Sequence, residues 1–328
     1  MEIKISVIIP FYGVEKYIAR CTESLMRQTM QDDIEFIFVN DATKDGSLDV
    51  LKKVLSEYPE RKEQVTILHH EINKGLPAAR NTGFVAARGK YIYHCDSDDY
   101  LEKDALEVLY RKAEENGSDI VWGDFYEIMT GGNRYKKQPA YSTPLDAVKG
   151  MLTGDMDYNV WNKLVRRNLY LINNISFPSG YAMGEDLTMI MLFSSASKVA
   201  FVSKPVYYYD KTNPGAMTYS MSEEKQNALK HNVAMIKNYL CGKYGNALMV
   251  EIATLKLNLK WPFLISTDRI SVYKEWNRWF PEANEYITRQ SVSGRIKTLE
   301  LCAYRKQYWI IWLHYWLVIK LYYKILGK

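Results

Sequence analysis

The chain of 328 residues has little cysteine. Cys21, Cys95, Cys241 and Cys302 lie far apart and form no Cys-x-x-Cys pair. That spacing excludes a disulfide framework and the usual zinc-ligand pattern, and it suits a reducing compartment. No Gly-x-Gly-x-x-Gly follows the first apolar run, which excludes a dinucleotide-binding dehydrogenase. No apolar run reaches the roughly 20 residues that a membrane-spanning helix needs. The opening Met-Glu-Ile-Lys-Ile-Ser-Val-Ile-Ile-Pro has neither a long apolar stretch nor a small-residue cleavage site, so no secretory leader is expected. Charge of one sign is also missing from most of the chain. Arg305, Lys306, Lys320, Lys324 and Lys328 are the charged residues of 304–328; setting these five aside, 38 basic residues face 38 acidic ones in the first 303. A neutral body of this kind does not look like a nucleic-acid binder.

The rest of the composition is that of a folded protein, 47% apolar and 25% charged, with 26 Tyr and 8 Trp. Its length suits one large domain with an appendage, or two domains. Strand-like runs at Ile3–Ile9, Glu35–Val39, Val65–Leu68, Lys90–Cys95 and Asp119–Phe125 alternate with helical patterns. The helices read from Val14 to Leu25, from Ser47 to Leu55, over Leu76–Ala87 and over Leu101–Asn116. This rhythm predicts βαβ units and a mostly parallel central sheet with flanking helices, an α/β fold. Ligands bind at the carboxyl ends of strands in such sheets. Polar clusters fall at three of those ends: Pro10-Phe11-Tyr12, Asn40-Asp41 and Asp96-Ser97-Asp98-Asp99. After Thr130 the rhythm changes. Short strands are expected at Val199–Val202 and Val206–Tyr209, and a helical pattern runs from Ser222 to Leu264.

The acidic tetrapeptide Asp96–Asp99 has two readings. Carboxylates this dense repel one another and suit a hard cation such as Mg²⁺ or Mn²⁺ carrying a diphosphate. Alternatively the acids cap a helix that starts at Tyr100. Glu185-Asp186 likewise reads either as a catalytic carboxylate or as acids opening a helix.

The chain resembles family 2 glycosyltransferases of the GT-A fold, bacterial polysaccharide type. The resemblance rests on Ser6–Tyr12, Phe38–Ser47, Asn73–Gly83 and Asp96–Asp99, about 100 residues in the family's order and spacing. Trp161-Asn162-Lys163-Leu164 and Gly184-Glu185-Asp186 match more weakly. The resemblance implies a metal-dependent, inverting transfer of a sugar from a UDP-sugar to a hydroxyl of a saccharide or lipid-linked saccharide acceptor, in cell-surface polysaccharide synthesis. It implies that Pro10, Tyr12, Asp41, Arg80, Asp96 and Ser97 bind the donor, with Asp41 meeting the pyrimidine N–H and Arg80 the diphosphate. It assigns the metal, Mg²⁺ or Mn²⁺, to Asp98 and Asp99, and the catalytic base to Asp186. Asn73 and Asn81 would hold their loop, and Trp161 would either stack on the acceptor or sit in the core. No histidine stands in an obvious ligand position.

Three segments are expected: a GT-A transferase domain over 1–220, a helical extension over 221–303, and a basic aromatic helix over 304–328. The last carries Tyr308 to Ile319, apolar nearly all round but only twelve residues long, followed by Lys320, Lys324 and Lys328 on one stripe. Tryptophan and tyrosine favour the membrane interface and lysine pairs with anionic lipid, so this helix is expected on an anionic membrane surface. Packing on the body is the alternative. The expected location is the cytoplasm, peripherally on the inner face of the plasma membrane. The competing function is a nucleotide-sugar-binding pseudo-transferase that serves as a membrane-associated assembly partner. A sugar nucleotidyltransferase is disfavoured, because Phe11-Tyr12-Gly13-Val14-Glu15-Lys16 has one glycine where that chemistry wants a Gly-rich, basic loop.

Overall fold

A computed structural model describes residues 2–178, 184–213 and 223–322. The chain divides into two compact units, Met1–Val148 with Asp157–Ile236, and Lys149–Met156 with Lys237–Lys328.

The first unit opens with β1 (Ile5–Phe11), α1 (Ile18–Met26), β2 (Ile34–Asn40), α2 (Ser47–Ser56), β3 (Val65–His69), α3 (Leu76–Ala86) and β4 (Tyr91–His94). It continues with β5 (Tyr100–Leu101), α4 (Ala105–Asn116), β6 (Ile120–Met129), β7 (Gly132–Lys136) and α5 (Pro144–Thr153), whose last turns belong to the second unit. Then come β8 (Lys163–Arg166), α6 (Arg167–Ile172), α7 (Glu185–Ser195), β9 (Val199–Asp210) and α8 (Glu223–Tyr244), whose end also crosses the boundary. Among the described residues the nine strands form one sheet in the order β3-β2-β1-β4-β8-β6-β9-β5, with β7 on β6. Strands β1, β2, β3 and β4 are mutually parallel, and β6 and β9 run the same way; β5, β7 and β8 oppose them. All seven residues of β1 and of β2 are buried, as expected for parallel strands covered on both faces. Helix α3 packs on both strands, while helix α1 packs on α2 and β5 and buries Ile18, Cys21, Thr22, Leu25 and Met26 at helical spacing. Gly83 lets α3 lie close on β1: a Cβ there would meet Ile8 Cγ2 at 2.4 Å.

Two sequence expectations change. The helix expected from Leu101 starts at Ala105, because Tyr100–Leu101 pair with Tyr208 and Tyr207 as a strand. The two short strands near 200 and 208 are one strand, β9, with a register irregularity against β6 at Gly123–Phe125. Cys21 and Cys95, distant in sequence, lie 3.7 Å apart as buried free thiols.

The second unit holds the end of α5, the end of α8, α9 (Met249–Lys260), α10 (Pro262–Ile265), α11 (Ile270–Arg278), α12 (Gly294–Tyr304) and α13 (Tyr308–His314), followed by a π-helical stretch Tyr315–Tyr322. Its core gathers Leu257, Leu264, Tyr273, Trp276, Ile287, Leu299 and Ile311. Ile311 and Tyr315 are buried, while Trp309, Trp312, Leu313, Trp316 and Leu317 are exposed. The C-terminal helix therefore packs by one face and leaves a second, tryptophan-rich face open. Lys324 and Lys328 lie outside the described residues. No helix among the described residues is long and apolar enough to cross a membrane.

Candidate active site

The three polar clusters sit at the carboxyl ends of β1, β2 and β4, which are adjacent and parallel, so one sheet edge collects them. Pro10 is buried in β1, and Tyr12, just past its end, is 48% exposed. Asp41 is buried, and its own N–H donates to Phe11 O. Its carboxylate accepts from the Lys74 N–H at Oδ1 and from the Gly75 N–H at Oδ2, each at 2.8 Å, and His70 Nδ1 lies 2.6 Å from Oδ1. Gly75 has φ +84, a left-handed backbone that glycine tolerates, and it turns those amides toward Asp41 as α3 begins. Asp41 thus ties down the start of α3. Sequence reasoning missed His70, since two adjacent histidines before a loop have no distinctive spacing.

Helix α3 then carries Arg80 to the acidic tetrapeptide. Arg80 is 1% exposed and donates from one arm to Asp96 Oδ1 at 2.7 Å and from the other to Glu185 Oε1 at 2.6 Å. Burial opposes its charge, but the two carboxylates outweigh burial and hold its pKa above the ordinary value. Both arms are engaged by protein, rather than open to a diphosphate. Burial, opposed by Arg80 and aided by the charges of Glu185 and Asp98, pushes the Asp96 carboxyl up to about 6. Ser97 is buried. Asp98 is partly exposed; its Oδ2 accepts from Asn213 Nδ2 at 2.9 Å, and its carbonyl accepts from Arg20. Asp99 is buried, accepts from the Asp210 N–H at 2.7 Å and bonds the Tyr207 hydroxyl. Burial and the charges of Asp98 and Asp96 raise its pKa well above the carboxylate range. None of these acids caps a helix, because α4 starts at Ala105 behind Asp104. Asp96 and Asp98 are left as the solvent-reaching pair. Among the described residues no three His, Cys, Asp or Glu side chains converge as a ready-made metal cage.

Glu185 and Asp186 form the first turn of α7. Asp186 is 7% exposed, and its Oδ1 has no hydrogen-bond partner among the described residues. Burial pushes its carboxyl up to about 6; the backbone amides of Leu187 and Asp186 at the helix start oppose this, and Glu185 adds to it. Tyr158 feels the charges of Asp186 and Glu185, and burial with these charges raises its hydroxyl to about 12.

The Trp161–Leu164 string is structural. Trp161 is 3% exposed and stacks on Tyr207 at 4.4 Å, so it belongs to the core and cannot stack on an acceptor in this conformation. Asn162 Nδ2 donates to Gly123 O, and the buried Lys163 donates to Asp157 O, Asn159 O and Asn162 Oδ1. Burial lowers Lys163 to about 7. Asn81 lies in α3 and not in a loop; it donates to Phe177 O and accepts from the Phe177 N–H, so it holds the distant segment at Phe177.

Residues 6–184, more than half of the chain, match the family described as Glycosyl transferase family 2. The chain belongs to that family. It is a glycosyltransferase with a GT-A fold, and curated relatives agree. It is 32% identical over 268 residues to the uncharacterized glycosyltransferase EpsJ of Bacillus subtilis (strain 168), covering 77% of this chain and 76% of that one. It is 29% identical over 293 residues to a poly(ribitol-phosphate) beta-glucosyltransferase of Bacillus spizizenii, covering 87% of this transferase but 45% of that longer protein. Among solved structures, S. aureus TarS 1-349 in complex with UDP-GlcNAc superposes with a TM-score of 0.70 at 20% identity, covering 95% of this chain and 91% of that one. At that identity the likeness speaks to the fold of this transferase.

Proposed function

We propose that this transferase moves a sugar from a UDP-sugar to a hydroxyl of a saccharide or lipid-linked saccharide acceptor, with inversion, in cell-surface polysaccharide synthesis. Asp186 carries the reading. Its buried carboxylate has one unpartnered oxygen and a pKa near 6, which is ionised at neutral pH yet basic enough to accept a proton. In the transfer the acceptor oxygen attacks the anomeric carbon, its proton passes to Asp186, and the bond from that carbon to the diphosphate oxygen breaks on the opposite face. Asp41, with Pro10 and Tyr12 beside it, is assigned to the pyrimidine N–H, and Asp96 and Ser97 to the rest of the nucleotide. Arg80 orients Asp96 and Glu185. The UDP and UDP-GlcNAc complexes of TarS and the poly(ribitol-phosphate) relative support the donor and acceptor classes. The catalytic body is assigned to 1–220 and surface contact to 304–328, with 221–303 as the helical extension.

The donor set fits Mg²⁺ or Mn²⁺. It is all oxygen, Asp98 and Asp96 reach solvent, and burial together with the charges of Glu185 and Asp98 raises Asp96, which a cation would relieve. Asp98 and Asp96 would hold the ion, with Asp99 behind them, and the ion would keep several waters. When bound it would neutralise charge on the leaving diphosphate. Asp98→Asn is expected to remove most turnover and to abolish the metal dependence of UDP binding by calorimetry. Full wild-type transfer in EDTA would overturn the metal assignment. A panel of UDP-sugars in a hydrolysis assay tests the function itself; UDP binding without turnover of any donor, with or without acceptor saccharides, favours the pseudo-transferase.

The open face of the C-terminal helix is assigned to the anionic inner surface of the plasma membrane. Trp309, Trp312 and Trp316 supply interfacial aromatics, and Arg305, Lys306 and Lys320 are exposed beside them. Because Ile311 and Tyr315 belong to the packed face, substitution tests this better than deletion. The triple change of Trp309, Trp312 and Trp316 to Ser is expected to keep the thermal melt and lose co-sedimentation with anionic liposomes. The remaining attraction should weaken with salt. Unchanged liposome binding refutes the assignment.

A further inference from the structure

We propose that His70 sets the nucleobase preference of the donor pocket by holding the Asp41 carboxylate in one orientation. His70 is a positioning residue. It lies just past β3, its side chain is 4% exposed, and its ring bridges two elements: Nδ1 to Asp41 Oδ1 at 2.6 Å and Nε2 to Thr82 Oγ1 of α3 at 2.9 Å. The amides of Lys74 and Gly75 can only donate, so the Asp41 carboxylate is their acceptor, and Nδ1 must carry the hydrogen that faces it.

A carboxylate offers about four acceptor positions. Two donors meet Oδ1 and one meets Oδ2, so a single position on Oδ2 stays open. Without His70 the group would keep only the two amides, and its planar end could rotate to share them differently. With His70 the open position has one direction. A base that presents an N–H there, as the imide of uracil or thymine does, gains a charge-assisted bond. A base that presents a lone pair at the same ring atom, as cytosine does, sets acceptor against acceptor. The inference rests on the reading that Asp41 meets the base, and the two are separable by experiment.

The experiment is calorimetric titration with UDP and with CDP, at fixed Mg²⁺, on the wild type and on Asp41→Asn, His70→Ala, His70→Asn and His70→Gln. The wild type is expected to prefer UDP by about tenfold or more, the scale of one hydrogen bond to a charged group. His70→Ala is expected to weaken UDP by about tenfold and to change CDP by less than about threefold, because CDP never used the oriented oxygen. Asparagine places a side-chain N–H near the position of Nδ1, so His70→Asn should recover most of the preference. Glutamine places its amide nearer Nε2, so His70→Gln should not. If Asp41→Asn still prefers UDP as the wild type does, the base-reading role of Asp41 fails and this inference fails with it. If Asp41→Asn loses the preference but His70→Ala keeps it, or weakens both nucleotides equally, the role of His70 alone is overturned. Should His70→Ala not fold by circular dichroism, the contrast between His70→Asn and His70→Gln decides, and equal behaviour of those two overturns the proposal.

Discussion

Asp186→Asn is expected to lower sugar transfer by about 10²-fold or more, leave UDP-sugar affinity nearly unchanged, and raise the melting temperature at pH 7. The three effects share one cause. The carboxyl is raised from 3.8 to about 6 because burial disfavours its charge, and Oδ1 has no partner to compensate. The folded state therefore binds this proton more tightly than the unfolded chain does. The stability linked to it is full below the unfolded value, is lost as pH climbs from about 4 to about 6, and stays lost above. A shift of about two units is worth up to about 3 kcal/mol. Asparagine has nearly the same shape without the charge, so the fold should gain some of that back while the reaction loses its proton acceptor. For the wild type, the base must be ionised to work, so kcat/KM should fall about tenfold per pH unit below about 6. Calorimetry, a thermal melt and transfer rates on the same preparation test this. Equal losses of donor binding and transfer, or a lowered melting temperature, would show a structural carboxylate and not a base.

Arg80→Ala is expected to lower both stability and transfer. It removes the counter-ion from Asp96 and Glu185 at once and leaves both carboxylates facing each other at the sheet edge. Breaking a buried pair costs about 3–5 kcal/mol. Water reaches both carboxylates in part, since their side chains are 23% and 27% exposed, so the lower end applies. For a unit of this size about 3 kcal/mol corresponds to a melting temperature roughly 6–12 °C lower. Asp96, which Arg80 holds down, should then titrate higher, so the variant should recover part of the loss as pH falls from 7 to 5. Arg80→Lys should fall between, because one ammonium cannot serve two carboxylates in fixed directions. A melting temperature unchanged by Arg80→Ala, with donor affinity lost, would instead put the guanidinium on the diphosphate.

Local pattern carried much of the first unit. The runs around β1, β2, β3, β4 and β6 are apolar, β-branched or aromatic, and a helix pattern separates most of them, so the parallel half of the sheet and its ligand edge follow from spacing alone. What failed locally had local causes. Tyr100–Leu101 is only two residues long, too short for alternation to show, and its strand character comes from Tyr207 and Tyr208 on β9. Strand β8 begins within a string read for its tryptophan and runs on to Arg166, and it is held by β4 and β6 on its two sides.

The sequence by itself determined the fold class, the family, the edge where the polar strings gather, and which residues carry carboxylates there. The tertiary structure decided what each of those carboxylates touches. Arg80 and Glu185 are 105 residues apart, Asp99 and Asp210 111 apart, and His70 reaches Asp41 across 29. An acid in a sequence is only a charge. Whether it is neutralised by a guanidinium, tied to a backbone amide, or buried with an oxygen left unpaired depends on distance and desolvation, and both arise only when the sheet has assembled.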